Sequence, residues 1–419
     1  MAGMPGVDAV NCYQRSTIGD QGTHQQGVGV GLFIQDRWKP FKRLTVLPGI
    51  RFDYGWTQNT AGKTVSSLFG VGPRLGFAFD LTGDQKTIWS ASYGRSNETL
   101  SLLAASSTDN PLQTTEQWNP KTGKWEPFSS SGGPGGTIIG GNLTPPHTDE
   151  FTTALRREIF KDSVAGIEYT YKRVSNIWDG IEQNQVWDPS GYRVVGYLNG
   201  EPRQIYLYST PDSNYRIYQG IDFTVESRPT PNWDLWAAYT VSWLYGPGAE
   251  QLGQVTGVEA GSSQFYNPRQ RMFFDGFLPE DHRNNLKLRA SYTWRGLTVG
   301  AFFNYVSGSP LTKKFFNAQD AVAGNYTNAR SPQGTEPGSG NDFKKVTELR
   351  LPDIISMDTR VEYDFHGLIK QHIIVMLDLF NMFNLAAATG LDNTDTATFG
   401  TAQGRQQPFR LQLGLRYNY

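Results

Sequence analysis

The chain has 419 residues, a length that suits one large barrel or two to three small domains. A formal net charge of -1 gives no electrostatic reason to expect a nucleic-acid partner. Cys12 is the single cysteine, which excludes intrachain disulfides, and no stretch approaches the roughly 18 consecutive apolar residues of a spanning helix.

The opening MAGMPGVDAV has no basic region followed by an apolar run, so it does not read as a secretory signal. From there on, period-two alternation dominates. About thirteen strands are predicted, near 27–38, 43–56, 73–82, 86–97, 148–160, 163–178, 215–229, 232–245, 283–294, 296–307, 354–365, 370–384 and 406–419. In 43–56, Leu44, Val46, Pro48, Ile50, Phe52, Tyr54 and Trp56 share one face, and Thr45, Gly49, Arg51, Asp53 and Gly55 share the other. A strand sends successive side chains to opposite sides, so this segment has one apolar and one polar surface. Ile221, Phe223 and Val225 oppose Asp222, Thr224 and Glu226 in the same way, and Leu286, Leu288 and Ala290 oppose Lys287 and Arg289. Many of these strands reach ten residues or more, the length of a tilted membrane strand rather than of a globular one.

The connections alternate in length. Short ones are 39–42, 81–85, Lys161–Asp162, 229–232, Arg295–Gly296 and 366–370; long ones are 57–72, 98–147, 179–214, 246–282, 308–353 and 385–405. Alternation of this kind is expected of an antiparallel transmembrane β-barrel with short periplasmic turns and long extracellular loops. On that topology residues 1–26 form part of an extracellular loop, and 27–419 form the C-terminal portion of an outer-membrane barrel. The odd strand count and the extracellular start imply that further strands precede this sequence, because bacterial single-chain barrels have even strand numbers.

The last segment carries the most specific motif. Phe409, Leu411, Leu413, Leu415, Tyr417 and Tyr419 form an unbroken apolar face. A soluble edge strand of this kind would invite aggregation. Gln412, Gly414, Tyr417 and Tyr419 resemble the terminal signal that the barrel-assembly machinery reads. IQDRWKPFKRLTVLPGIRFDYGW (34–56) looks like a strand–turn–strand of TonB-dependent transporters, and LDLFNMFN (377–384) resembles their penultimate strand. With the terminal strand, the chain is similar to the Oar-like branch of that family. The resemblance implies a partial barrel, about 13 of 22 strands, whose N-terminal plug and TonB box lie outside this sequence.

Chemistry-bearing constellations are sparse. His24, His147, His282, His366 and His372 show no metal-ligand spacing, and no cofactor or catalytic motif is present. Asp392 and Asp395 in LDNTDT form an incomplete calcium set and read as a solvated loop tip. Glu280, Asp281 and His282 in PEDHRNN read as polar rim contacts rather than as an acid–base pair. Trp118 and Trp125, in the longest loop, are candidate ligand contacts; packing between loops is the competing reading. Arg51, Asp53, Arg74, Asp80, Glu168, Lys172, Asp222, Glu226, Arg360 and Glu362 are expected to line the lumen, since a charge on the lipid face costs roughly 2–4 kcal/mol near the midplane.

The expectation is therefore a non-enzymatic outer-membrane receptor of Gram-negative type. By resemblance, it admits a scarce or bulky solute by ligand-gated, TonB-energised uptake. Its expected partners are outer-membrane lipid, the barrel-assembly machinery, the TonB system acting through the plug, and an unknown solute. A plug-free channel or surface adhesin is the first alternative, and a soluble all-β carbohydrate-active protein the second.

Overall fold

The computed structural model describes residues 14–19, 22–141, 143–189, 194–212, 214–247, 275–278, 280–311, 335–337, 343–345, 350–392 and 397–418. Thirteen strands follow one antiparallel path in which each pairs with the next: β1 (Gln26–Gln35), β2 (Leu44–Gln58), β3 (Thr64–Asp80), β4 (Thr87–Asn97), β5 (His147–Phe160), β6 (Ser163–Ser175), β7 (Arg216–Ser227), β8 (Trp233–Pro247), β9 (Asn284–Trp294), β10 (Leu297–Val306), β11 (Ile354–Asp364), β12 (His372–Phe380) and β13 (Arg410–Asn418). Two short segments, Trp38–Phe41 and Asp275–Phe277, pair with β2 and β8 off this path. Among the described residues β1 and β13 are its two unpaired ends, so the sheet is a barrel wall that is not closed.

Register converts the alternation of each strand into a property of the whole wall. Phe79, Trp89, Leu155, Ile167, Phe223, Tyr239, Leu286, Tyr305 and Ile355 sit opposite one another across successive strands from β3 to β11. One residue along, the opposite face carries Ala78, Ser90, Ala154, Glu168, Asp222, Thr240 and Asn285. Among the described residues the apolar face stands largely uncovered: Leu32 is 69% exposed and Leu413 71%. An apolar surface of this extent is incompatible with water and requires a hydrocarbon surrounding. Cross-strand ring pairs such as Phe77–Trp89, with centroids 4.7 Å apart, knit that face laterally.

The short turns are built from local hydrogen bonds. Between β3 and β4 the Asp80 carboxylate accepts from the backbone N–H of Gly83 at 2.8 Å and of Gln85 at 3.0 Å. Both donors lie at positive φ, which Gly83 adopts without strain.

Residues 57–72, expected as a long loop, are mostly strand. β2 continues to Gln58 and β3 begins at Thr64. Phe69 and Val71 keep the apolar alternation, but Ser66, Gly70 and Gly72 opposite them weaken its polar half. With 17 residues, β3 exceeds the roughly 9–11 that a tilted strand needs to cross hydrocarbon, so it extends beyond the membrane.

Candidate functional site

The long connections at the β3 tip fold together into a cap. Its construction starts where β4 leaves β3 after the pair Arg74–Gly94 and continues on β5 alone. The chain then crosses the polar face of β3, β2 and β1 as a strap. Glycines on that face permit the crossing. A Cβ on Gly72 would sit 2.6 Å from the Arg95 carbonyl oxygen, and one on Gly55 would collide with the Thr99 carbonyl. Leu100 ends the strap against Gly27.

Helix α1 (Leu102–Thr108) follows, capped by Ser101, whose side chain accepts from the Ala104 N–H. Its Ala104 packs with Leu68 of β3, Trp178 and Tyr208, and Ile139 and Leu143 complete the cluster. Trp178 is fully buried, and its indole Nε1 donates to the Thr144 carbonyl at 2.7 Å. Thr137–Ile139 pairs parallel with Tyr206–Ser209, which pairs antiparallel with Asp179–Glu182. The loops 98–146 and 176–215 therefore share one sheet and one core. Burial first, and then the nearby Asp179 carboxylate, pushes the Tyr208 phenol up, so it stays neutral.

A cleft of about 730 Å³ lies at the edge of this cap. The 59–65 hairpin, the end of α1 and the 133–139 segment enclose it. Asp109, just after α1, ties the hairpin down: its Oδ2 accepts from the Thr60 N–H and hydroxyl, both at 2.8 Å, and from Gln25 Nε2 at 3.1 Å. Burial raises the Asp109 pKa, but the Thr60 and Gln25 hydrogen bonds outweigh it and hold the carboxyl below its usual range.

A second rim element joins other long loops. The Asp281 side chain is fully buried; its Oδ1 accepts from the Leu244 N–H at 2.7 Å, and its Oδ2 receives Arg350 at 2.5 Å and Arg283 at 3.4 Å. Arg350 also donates to the Gly308 carbonyl at 3.0 Å. His282 Nδ1 lies 2.8 Å from the Ser307 carbonyl. These contacts commit both Asp281 oxygens and tie the loops of the rim together.

Three ion pairs of the wall lie on its polar face. Glu150 pairs with Lys172 at 3.0 Å, Arg156 with Glu168 at 3.4 Å, and Arg360 holds Asp378 through two bonds of 2.6 and 2.9 Å. Arg95 and Asp149, on the apolar side near the loop end, neutralise each other through two 2.8 Å bonds. Exposed pairs of this kind add little stability. The first three keep paired charge on the polar face, and the Arg95–Asp149 pair neutralises the charge that lies on the apolar side.

The sequence from residue 5 to 385 matches the family model described as "TonB dependent receptor-like, beta-barrel". The chain belongs to that family. Its strands are accordingly those of a receptor barrel in the outer membrane of a Gram-negative bacterium, and members of the family are transporters and receptors. It is 18% identical over 416 residues to the uncharacterized protein YddB of Escherichia coli strain K12, covering 98% of this chain and 46% of that protein. The crystal structure of the Escherichia coli outer membrane transporter YddB superposes with a TM-score of 0.59 at 16% identity, over 96% of this chain and 48% of that one. The ferripyoverdine receptor of Pseudomonas aeruginosa gives 0.55 at 12% identity, over 95% and 39%. The chain thus spans about half the length of the relatives it matches.

Trp118 and Trp125 face each other across a hairpin, T-shaped, with centroids 5.6 Å apart. Arg15 lies over Trp125 at 4.8 Å and pairs with Glu116 at 2.5 Å. Both rings are half-buried. Gln412, Gly414 and Tyr417 lie on β13, paired with Asp378, Met376 and Ile373 of β12; Tyr419 lies outside the described residues, as do Cys12 and Asp395. Asp392 accepts from the Thr398 hydroxyl at 2.7 Å. Among the described residues no cluster of His, Cys, Asp or Glu is placed to hold a metal ion. Sequence reasoning missed Trp178, Asp109 and Leu68, which build the cap. Only Asn-Pro after Asp109, a turn signal, marked any of the three locally.

Proposed function

We propose that this chain is the wall and capture surface of a TonB-dependent uptake receptor of the Oar-like branch. Residues 27–419 supply the C-terminal portion of the barrel, and residues before 27 belong to an extracellular loop. The receptor binds a scarce or bulky solute at its loops and admits it when the plug, driven by the TonB system, moves. No covalent step is involved. Gln412, Gly414, Tyr417 and Tyr419 present the terminal strand to the barrel-assembly machinery, and the exposed apolar face meets outer-membrane lipid.

The observation that carries this reading is the pairing of an amphipathic thirteen-strand wall with a cored loop cap seated on its polar face. A passive pore has no need of a cored cap on its polar face; a receptor needs a preformed surface there. Solute accumulation by cells bearing the receptor, with and without a protonophore, tests the proposal. Energised uptake should collapse with the proton gradient. Conductance in planar bilayers that persists without any energy source would favour a plug-free channel instead.

A further inference from the structure

The cleft beside the cap has chemistry of its own. Asn59 and Asn110 line it with carboxamides and Thr60 and Thr108 with hydroxyls. The hydroxyl protons are committed, Thr60 to Asp109 and Thr108 to the Ala105 carbonyl, and Asn59 donates to the Thr108 hydroxyl and accepts from the Lys63 N–H, so each carboxamide of the pair keeps at least one donor and one acceptor valence for an occupant. Val65, Leu112 and Ile138 interrupt them with small apolar surfaces. No aromatic ring lines the cleft among the described residues, so it lacks the platform on which a sugar ring would stack. Lys63 is its one cation, is exposed, and has no ion-pair partner among the described residues. Asp109 is its one carboxylate, with one oxygen already engaged by three donors. A polyanionic chelate would meet a single positive charge here. An extended peptide, by contrast, offers alternating amide groups and small side chains, and ends in one carboxylate.

We propose that this cleft captures the C-terminal end of a short extended peptide, with the terminal carboxylate paired to Lys63. The backbone amides of the peptide bond the remaining valences of the Asn59 and Asn110 carboxamides, and the apolar surfaces seat alternate side chains. The cleft's floor is the end of α1, and α1 continues the strap that lies on the inner wall. An occupant therefore sits against the segment that crosses the polar face of the wall. This assignment rests on the uptake reading above and deepens it by naming a solute class.

The test uses the receptor purified from outer membranes and a fluorescein-labelled tetrapeptide pool, randomised at all four positions, as free acids and as C-terminal amides. Fluorescence anisotropy should show the acids binding on the order of ten-fold more tightly than the amides, as one charge-assisted contact provides. Lys63→Gln, an exposed hairpin substitution, should abolish that preference and leave heat-modifiable migration unchanged. Equal binding of acids and amides, no binding of either, or a preference that survives Lys63→Gln overturns the assignment. Displacement of the pool by maltotetraose or ferric citrate would also overturn it, by placing another solute class in the cleft. Energised solute uptake that persists beside any of these results leaves the uptake reading standing and removes only the peptide.

Discussion

Trp178 and Asp109 show how single side chains hold the cap together. Trp178 fills the centre of a small core with its one polar atom satisfied by Thr144. Replacing a buried Trp by Ala costs about 3–5 kcal/mol. We expect Trp178→Ala to destabilise the cap by about that amount, read as faster hydrogen exchange over 98–146 and 176–215, while exchange in the strands stays slow. Unchanged protection of both loops would show that the core does not bind them. Asp109 makes the hairpin contact pH-dependent. Its folded pKa is depressed, so its contribution is complete above the ordinary carboxylate value of about 4 and is lost as pH falls through the lower folded value. Exchange of the Thr60 amide should therefore accelerate only in acid, and Asp109→Asn should remove that acid step. Neither residue was legible in the sequence as a cap residue. Their partners, Leu68 and Ala104 for one and Gln25 and Thr60 for the other, come from distant segments, and no local period records such meetings.

At the scale of elements, the wall was legible and the loops were not, for one physical reason. A strand whose faces meet lipid and water tends to alternate, and most of the thirteen wall strands do so in their own sequence, whereas β12 carries Ile374, Met376 and Phe380 on its polar face. Loops face each other, so their order depends on contacts across the chain. The β2–β3 hairpin lies between these cases: its upper half is strand, but glycine and serine erase the polar half of its pattern. Those glycines have a reason of their own, since the strap passes over them. A side chain at position 55 would meet the Thr99 carbonyl. Gly55→Val should lift the strap while leaving the wall intact. Spin labels at Gln58 and at Leu102, which is exposed, should report a longer and broader distance in the variant. Tyr54→Val, on the opposite face, should not change that distance. An identical distance distribution in Gly55→Val would mean that the strap does not lie on the inner wall. The candidate site in PEDHRNN was half legible: its polar rim role is present, but the burial of Asp281 depends on Arg350, far along the chain.

For the whole molecule, the central claim is that one face of a thirteen-strand antiparallel sheet meets hydrocarbon and the other meets water. Everything else hangs from it: the ion pairs on the inner face, the cap seated on that same face, and the membership of a receptor family whose barrels lie in the outer membrane. Strand β8 tests it most directly. Cys12→Ser frees the chain of its own thiol, after which single cysteines replace residues 235–240 in turn. Outer membranes carrying each variant are treated with a water-soluble maleimide and, separately, with a lipid-soluble one. Trp236, Ala238 and Thr240 positions should react with the aqueous reagent, and Leu235, Ala237 and Tyr239 positions with the lipid-soluble reagent alone. Aqueous labelling without a two-residue period, or recovery of the chain as a soluble monomer without detergent, would contradict the account.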